Sequence, residues 1–203
     1  MPRPRSGVSA IRHFYLMLLV CGIALMNVPA HAQAQSKGGW MEGAQEFILS
    51  GGKGLGDALI QQYSIAGANM VGANWSYQFY DYPGNHHFQW WAQVSYSYMW
   101  HDYRGEDQTQ HIWELKPIVR WYPRSEAQGL FGEAGVGVAY LDERSFGRID
   151  LSTNLNFSLH FAAGYTLNSG DTLSLRYSHF SNGYTNTPNP GFDFASLNWH
   201  KKF

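Results

Sequence analysis

The sequence predicts an all-β protein, an eight-stranded antiparallel transmembrane β-barrel, and three observations predict it. Apolar and polar residues alternate with period two in segment after segment, aromatic residues gather at the segment ends, and beyond the first 32 residues no apolar run approaches the roughly 20 residues a membrane helix needs. Alternation alone suits a soluble β-sandwich equally well, with the oily face as its core. The aromatic ends favour the barrel, because Trp90, Trp100, Trp113, Trp121, Tyr122 and Trp199 fall where interfacial girdles belong.

The N-terminal segment reads as an address. Arg3, Arg5 and Arg12 precede an apolar run from Leu16 to Met26, and Ala30-His31-Ala32 supplies a small-x-small cleavage site, so residues 1–32 are expected to be a cleaved secretory signal peptide and 33–203 the barrel. Cys21, the only cysteine, lies inside that segment, and Leu19-Val20 before it lacks the small residue of a lipoprotein signal. The mature chain therefore has no disulfide, no cysteine metal ligand and no cysteine nucleophile. It carries eleven basic against fifteen acidic residues, a net charge of −4, with no basic block to favour nucleic acid.

Eight strands are expected at 44–51, 66–80, 88–102, 109–122, 129–140, 153–167, 171–181 and 193–203. In 155–167, Leu155, Phe157, Leu159, Phe161, Ala163, Tyr165 and Leu167 share one face against Asn156, Ser158, His160 and Thr166. Residues 88–100 repeat the pattern with Trp91 and Met99 as exceptions, and 109–122 sends Glu114, Lys116 and Arg120 to the polar side. In a barrel that polar side is the lumen, which at eight strands is filled by side chains. Glu114, Lys116, Arg120, Glu133 and Arg176 are accordingly expected to pair inside. The connections after the first, fifth and seventh strands are long, whereas 168–171, Asn-Ser-Gly-Asp, is a tight turn; long loops outside and short turns inside fit an outer-membrane barrel. Glycines 51, 52, 54 and 56 flank Lys53 and Leu55 without the Lys-Ser/Thr ending of a phosphate loop, and are expected to form a flexible external loop. Phe203 closes the chain with Trp199, Leu197 and Ala195 behind it, similar to the C-terminal strand signal read by outer-membrane assembly machinery.

The chemistry is expected at the last hairpin. His179 and Ser181 continue the outward row of Leu173, Leu175 and Tyr177, and Asp193 begins the outward row of the next strand. Strands seven and eight are antiparallel neighbours, so all three polar side chains converge on the outer face at the base of the 182–192 loop. A carboxylate is tolerated there at roughly 0–1 kcal/mol, because the cost of charge falls off near the interface. Serine, histidine and an acid supply a nucleophile, a base and a group that fixes the base's tautomer. A polar interfacial cap without chemistry would use the same residue types. His86, His87, His101 and His111 are dispersed without ligand spacing, and no metal or other cofactor is expected.

His-Phe-Ser-Asn at 179–182, Pro-Asn-Pro-Gly-Phe-Asp-Phe-Ala-Ser-Leu at 188–197, residues 131–139 and Asn154 to Phe157 together resemble the lipid A 3-O-deacylase (PagL) family of Gram-negative outer membranes, most sharply from about residue 129 onward. The resemblance implies an integral outer-membrane barrel whose Ser-His-acid triad removes the ester-linked acyl chain at position 3 of lipid A. His179 and Ser181 match the family's histidine and serine. Asp193 stands where the best-known member has glutamate, at the same separation from the serine. Phe157 matches a phenylalanine important in the family and is assigned to substrate binding. Asn182, next to the nucleophile, is the expected side-chain donor to the oxyanion, assisted by the backbone amide of Gly183 or of Tyr184; Tyr184 stands where a small residue is expected. Lipid A, as part of lipopolysaccharide, and the surrounding outer-membrane lipids are the implied partners, and a homodimer is compatible with the reading. Two other functions fit the same barrel: a non-enzymatic adhesion or membrane-protecting protein, and a phospholipase.

Overall fold

The computed structural model describes residues 43–56 and 64–203; the expected signal segment, 1–32, lies outside the described residues. Eight long strands close into one antiparallel barrel: β1 (Gln45–Gly54), β2 (Asn69–Tyr82), β3 (His87–Tyr103), β4 (Glu106–Tyr122), β5 (Gly129–Leu141), β8 (Leu155–Thr166), β9 (Thr172–Ser181) and β10 (Phe192–Lys202). Between β5 and β8, β6 (Ser145–Phe146) and β7 (Ile149–Asp150) make a small separate hairpin. Each barrel strand pairs with its successor, and β1 pairs with β10 to complete the ring, which leaves no open sheet edge to be satisfied in lipid.

The connections differ at the two ends. At one end, β2–β3, β4–β5 and β8–β9 are joined by short turns, the last closed by Gly170 N–H on the Leu167 carbonyl at 2.9 Å. At the other, which its longer loops mark as the outer end, long segments follow β1, β5 and β9, while β3 and β4 meet at Arg104-Gly105, both in the left-handed region as a two-residue hairpin turn requires. Gly51 to Gly54, expected in the first outer loop, instead extend β1, paired to Leu197 through Phe194. Glycine is required at the end of that run: a Cβ on Gly54 would stand 2.3 Å from the Ile65 carbonyl oxygen, because the loop folds back against the strand.

Phe47, Leu49, Val94, Leu115, Leu175 and Leu197 lie exposed on the outer face, so the oily row faces lipid as the alternation predicts. The polar row lines the lumen. Arg120 donates to Glu46 at 2.8 Å and to Glu133 at 2.9 Å, and Arg176 donates to Glu133 at 2.9 Å. Lys116 pairs with Glu114 at 2.5 Å. Trp91, which breaks the alternation, is buried under the Arg120 guanidinium, 5.1 Å from its ring. Met99, the other exception, belongs to an apolar cluster that fills the outer mouth of the lumen together with Met70, Ile112, Leu141, Phe180, Phe192 and Phe194. Ile65 from the first outer loop and Phe146, Ile149 and Leu151 around the β6–β7 hairpin cap this cluster from above.

Candidate active site

Near the outer end of β9 and β10 the usual arrangement of faces is reversed. Phe180, Phe192 and Phe194 point into the lumen and are buried, with the Phe180 and Phe192 rings stacked at 5.1 Å, while the outward row carries His179, Ser181 and Asp193. The register is unbroken from Thr172 to Phe180 against β10 and from Thr172 to Ser181 against β8, so no bulge turns a side chain to the other face. Asp193 sits opposite His179, and Ser181 sits opposite Phe157.

That pairing brings His179 Nδ1 and Asp193 Oδ1 to 2.6 Å. The contact is nearly dry: His179 is 7% exposed and Asp193 2%. With Nδ1 engaged by the carboxylate, Nε2 is the ring nitrogen left for a second partner. Ser181, also 7% exposed, follows two residues along the same row. The backbone behind the site is tied down as well, since the Leu55 N–H donates to the Asp193 carbonyl at 2.9 Å and so anchors the first outer loop to β10. Phe157 is half-buried on β8, flanked in register by Val138 and Ser181, which makes it the side chain of the neighbouring strand directly opposite the serine.

Asn182 is placed differently from expectation. Its side-chain amide, fully buried, donates to the Leu151 carbonyl at 2.9 Å, to Ser152 Oγ at 3.0 Å and to the Pro188 carbonyl at 2.9 Å, while its Oδ1 accepts the Tyr184 N–H at 2.9 Å. A primary amide has two hydrogens to give, and both are committed to loop oxygens. Asn182 is the knot that ties the 182–191 loop to the segment after β7, and it is not free to donate to an oxyanion. Gly183 occupies the left-handed region, φ 60°, and among the described residues its N–H has no acceptor. Asn189, which the sequence did not single out, has its Oδ1 fixed by the Asn182 N–H at 2.9 Å, leaving its Nδ2 as a donor held next to the residue that follows Ser181. The signal for it was present in the Pro-Asn-Pro of the loop, but nothing in the sequence said that the loop would fold back on residue 182.

The family model described as lipid A 3-O-deacylase (PagL) matches residues 67–202. The chain belongs to the lipid A 3-O-deacylase family. It is 30% identical over 131 residues to the lipid A deacylase PagL of Bordetella bronchiseptica, covering 64% of this chain and 70% of that one. It is also 30% identical over 88 residues to the lipid A deacylase PagL of Pseudomonas aeruginosa, covering 43% of this chain and 51% of the relative. The solved structure of the outer membrane enzyme PagL superposes with a TM-score of 0.62 at 19% identity, covering 76% of this chain and 97% of that one. With its closed ring and apolar outer belt, the chain is an integral barrel of the outer membrane, similar in fold to the solved outer membrane enzyme PagL. The matched region takes in β2 to β10, with His179, Ser181, Asp193, Phe157, Asn182, Gly183 and Asn189.

Proposed function

We propose that this barrel hydrolyses the ester that links a 3-hydroxyacyl chain to position 3 of lipid A, with Ser181 as nucleophile, His179 as base and Asp193 as the group that orients the histidine. The observation that carries the reading is the His179–Asp193 contact at 2.6 Å on the outward row, in unbroken register with Ser181. Membership in the lipid A 3-O-deacylase family supplies the substrate class.

The residues divide the work as follows. Asp193 accepts a hydrogen bond from the Nδ1–H of His179 and so fixes the tautomer whose Nε2 is unprotonated and basic. Nε2 takes the proton of Ser181 Oγ as Oγ bonds to the ester carbonyl carbon, and the carbonyl electrons move onto oxygen. The Gly183 N–H and the Asn189 side-chain amide receive that oxyanion in place of Asn182. Collapse of the tetrahedral intermediate breaks the bond to the sugar oxygen, which leaves with the proton from Nε2. Water then enters by the same route: His179 Nε2 takes one of its protons as the water oxygen bonds to the acyl carbon, and collapse of the second tetrahedral intermediate breaks the bond to Ser181 Oγ, which regains that proton as the fatty acid departs. Phe157, opposite the serine, offers an apolar side chain against which the acyl chain lies. An outward-facing site near the rim has a simple rationale: the substrate's acyl chains stay in the leaflet while its sugar reaches the loops.

Expression in a host whose lipid A retains its 3-linked chain is expected to lower the lipid A mass by one hydroxyacyl group, read by mass spectrometry. An unchanged mass in the presence of assembled barrel would leave the non-enzymatic reading in possession. Loss of acyl chains from phospholipid rather than lipid A, measured with purified protein and both substrates, would leave the phospholipase.

A further inference from the structure

Two polar atoms at this site are stranded. Asp193 commits Oδ1 to His179, and its Oδ2 is buried without a hydrogen-bond partner. Tyr177 lies on the same outward row, two residues before His179, and its hydroxyl is also buried without a partner. The register says that these two belong together. Asp193 is opposite His179 and Ala195 is opposite Tyr177, so Asp193 and Tyr177 are diagonal neighbours on one face of an antiparallel pair, a spacing a long aromatic side chain bridges. The cross-strand partner of Tyr177 is only an alanine, which leaves space for the phenol to lie toward the aspartate. The phenol is close enough to feel the Asp193 carboxylate, both as a charge and as a hydrogen-bond acceptor.

We propose that Tyr177 is a positioning residue that donates its hydroxyl hydrogen to Oδ2 of Asp193 and so holds the carboxylate with Oδ1 turned to His179. The inference rests on the triad reading above. A carboxylate with one oxygen engaged and the other idle can swing about its Cβ–Cγ bond, and each such excursion releases the histidine. A donor on the second oxygen removes that freedom. The requirement is acute here because the Asp193 side chain is short and its contact with Nδ1 is nearly dry, so small displacements of the carboxylate open it.

Tyr177→Phe removes one oxygen and keeps the ring. In purified enzyme, kcat for lipid A deacylation is expected to fall roughly 10-fold with KM unchanged. Barrel assembly, read from heat-modifiable gel mobility, is expected to stay intact. The decisive comparison repeats the change in Asp193→Asn enzyme, where Tyr177→Phe is expected to have no further effect on the residual rate. A wild-type kcat in Tyr177→Phe, or the same fold-loss in both backgrounds, overturns the proposal. Ser181→Ala, run alongside, separates the two readings: if it retains activity the triad itself fails, whereas an inactive Ser181→Ala with a fully active Tyr177→Phe defeats only the role given to Tyr177. If Tyr177→Phe does not assemble, 3-fluorotyrosine at 177 preserves the shape and alters the donor; a kcat change seen with Asp193 but not with Asn at 193 supports the contact, and an equal response in both overturns it.

Discussion

The lumen of this barrel is built by opposite rules in its two halves. Below, it is ionic: Glu46, Arg120, Glu133 and Arg176 form a connected network, each charge paired because none has water to return to. Above, around Phe180, Phe192, Phe194, Met99 and Ile112, it is as apolar as the core of a soluble protein. The outer surface changes in the complementary sense, from Leu173 and Leu175 low on β9 to His179 and Ser181 at its top. Where hydrocarbon surrounds the wall, oily residues face out and the polar row must be accommodated inside. At the outer end of β9 and β10 the oily residues turn inward and the outward row carries polar groups, while Tyr140 and Leu155 on the adjoining strands keep an apolar outer face. The candidate site is the polar outward row that backs onto this apolar plug.

The comparison predicts that the two halves separate activity from stability. Its sharpest test is Ser181→Ala, expected to lower deacylation by roughly 10^4-fold or more, the usual cost of removing a nucleophile from a triad, with the unfolding curve in detergent unchanged. A parallel loss of stability would mean that the outward row holds the wall together rather than reacting. The converse test lies in the ionic half. Glu133 accepts from both Arg120 and Arg176, so Glu133→Ala leaves two buried guanidinium groups short of a partner and is expected to cost about 3–5 kcal/mol of unfolding free energy. Deacylation per assembled barrel should not change. Urea unfolding followed by tryptophan fluorescence reads the first quantity and turnover of purified protein the second.

Most of the fold was legible because alternation is a local property. β3, β5 and β9 fall within a few residues of their expected limits, and the inward set of Glu114, Lys116, Arg120, Glu133 and Arg176 follows from counting by twos along each strand. The same counting put His179, Ser181 and Asp193 on one face. What counting does not give is depth. Phe180, Phe192 and Phe194 fall on the lumen side by parity, yet that three such rings form a plug depends on Ile65, Phe146 and Ile149 arriving from distant loops. The β6–β7 hairpin, with two residues per strand, is too short for any period to show. Asn182 shows the same limit: adjacency to Ser181 suggests a donor, whereas its amide donates to Leu151, Ser152 and Pro188, contacts between loops that no spacing encodes.

Asn182 also tests how far the upper half acts as one body. Asn182→Ala leaves the Leu151 carbonyl without that donor and loosens the 182–191 loop from the segment after β7, where Ser152 Oγ still donates to the Pro188 carbonyl, and a cost of about 1–3 kcal/mol is expected from the buried groups left unmet. Since the knot also positions Gly183 and Asn189, kcat should fall while Ser181 and His179 remain in register. If stability falls and kcat does not, the loop is architecture and the oxyanion donors lie elsewhere.

The smallest expected effect concerns Tyr184, which takes the left-handed region at φ 61° in the same loop. A bulky side chain there pays a steric cost of about 1–2 kcal/mol that glycine escapes, although glycine loses roughly 0.5–1 kcal/mol through the greater freedom of its unfolded chain. The ring is half exposed, so little burial is forfeited when it goes. Tyr184→Gly is therefore expected to be neutral or to gain under about 1 kcal/mol, and Tyr184→Asn, which tolerates the same φ without the entropic loss, to do at least as well. Because the Tyr184 N–H to Asn182 Oδ1 bond is a backbone contact, both variants retain it and kcat should hold. A clear destabilisation by both would show that the ring packs on the loop and helps to hold the upper half in place, which would move one aromatic from the exposed surface to the capping layer and shift the boundary between the two regimes outward.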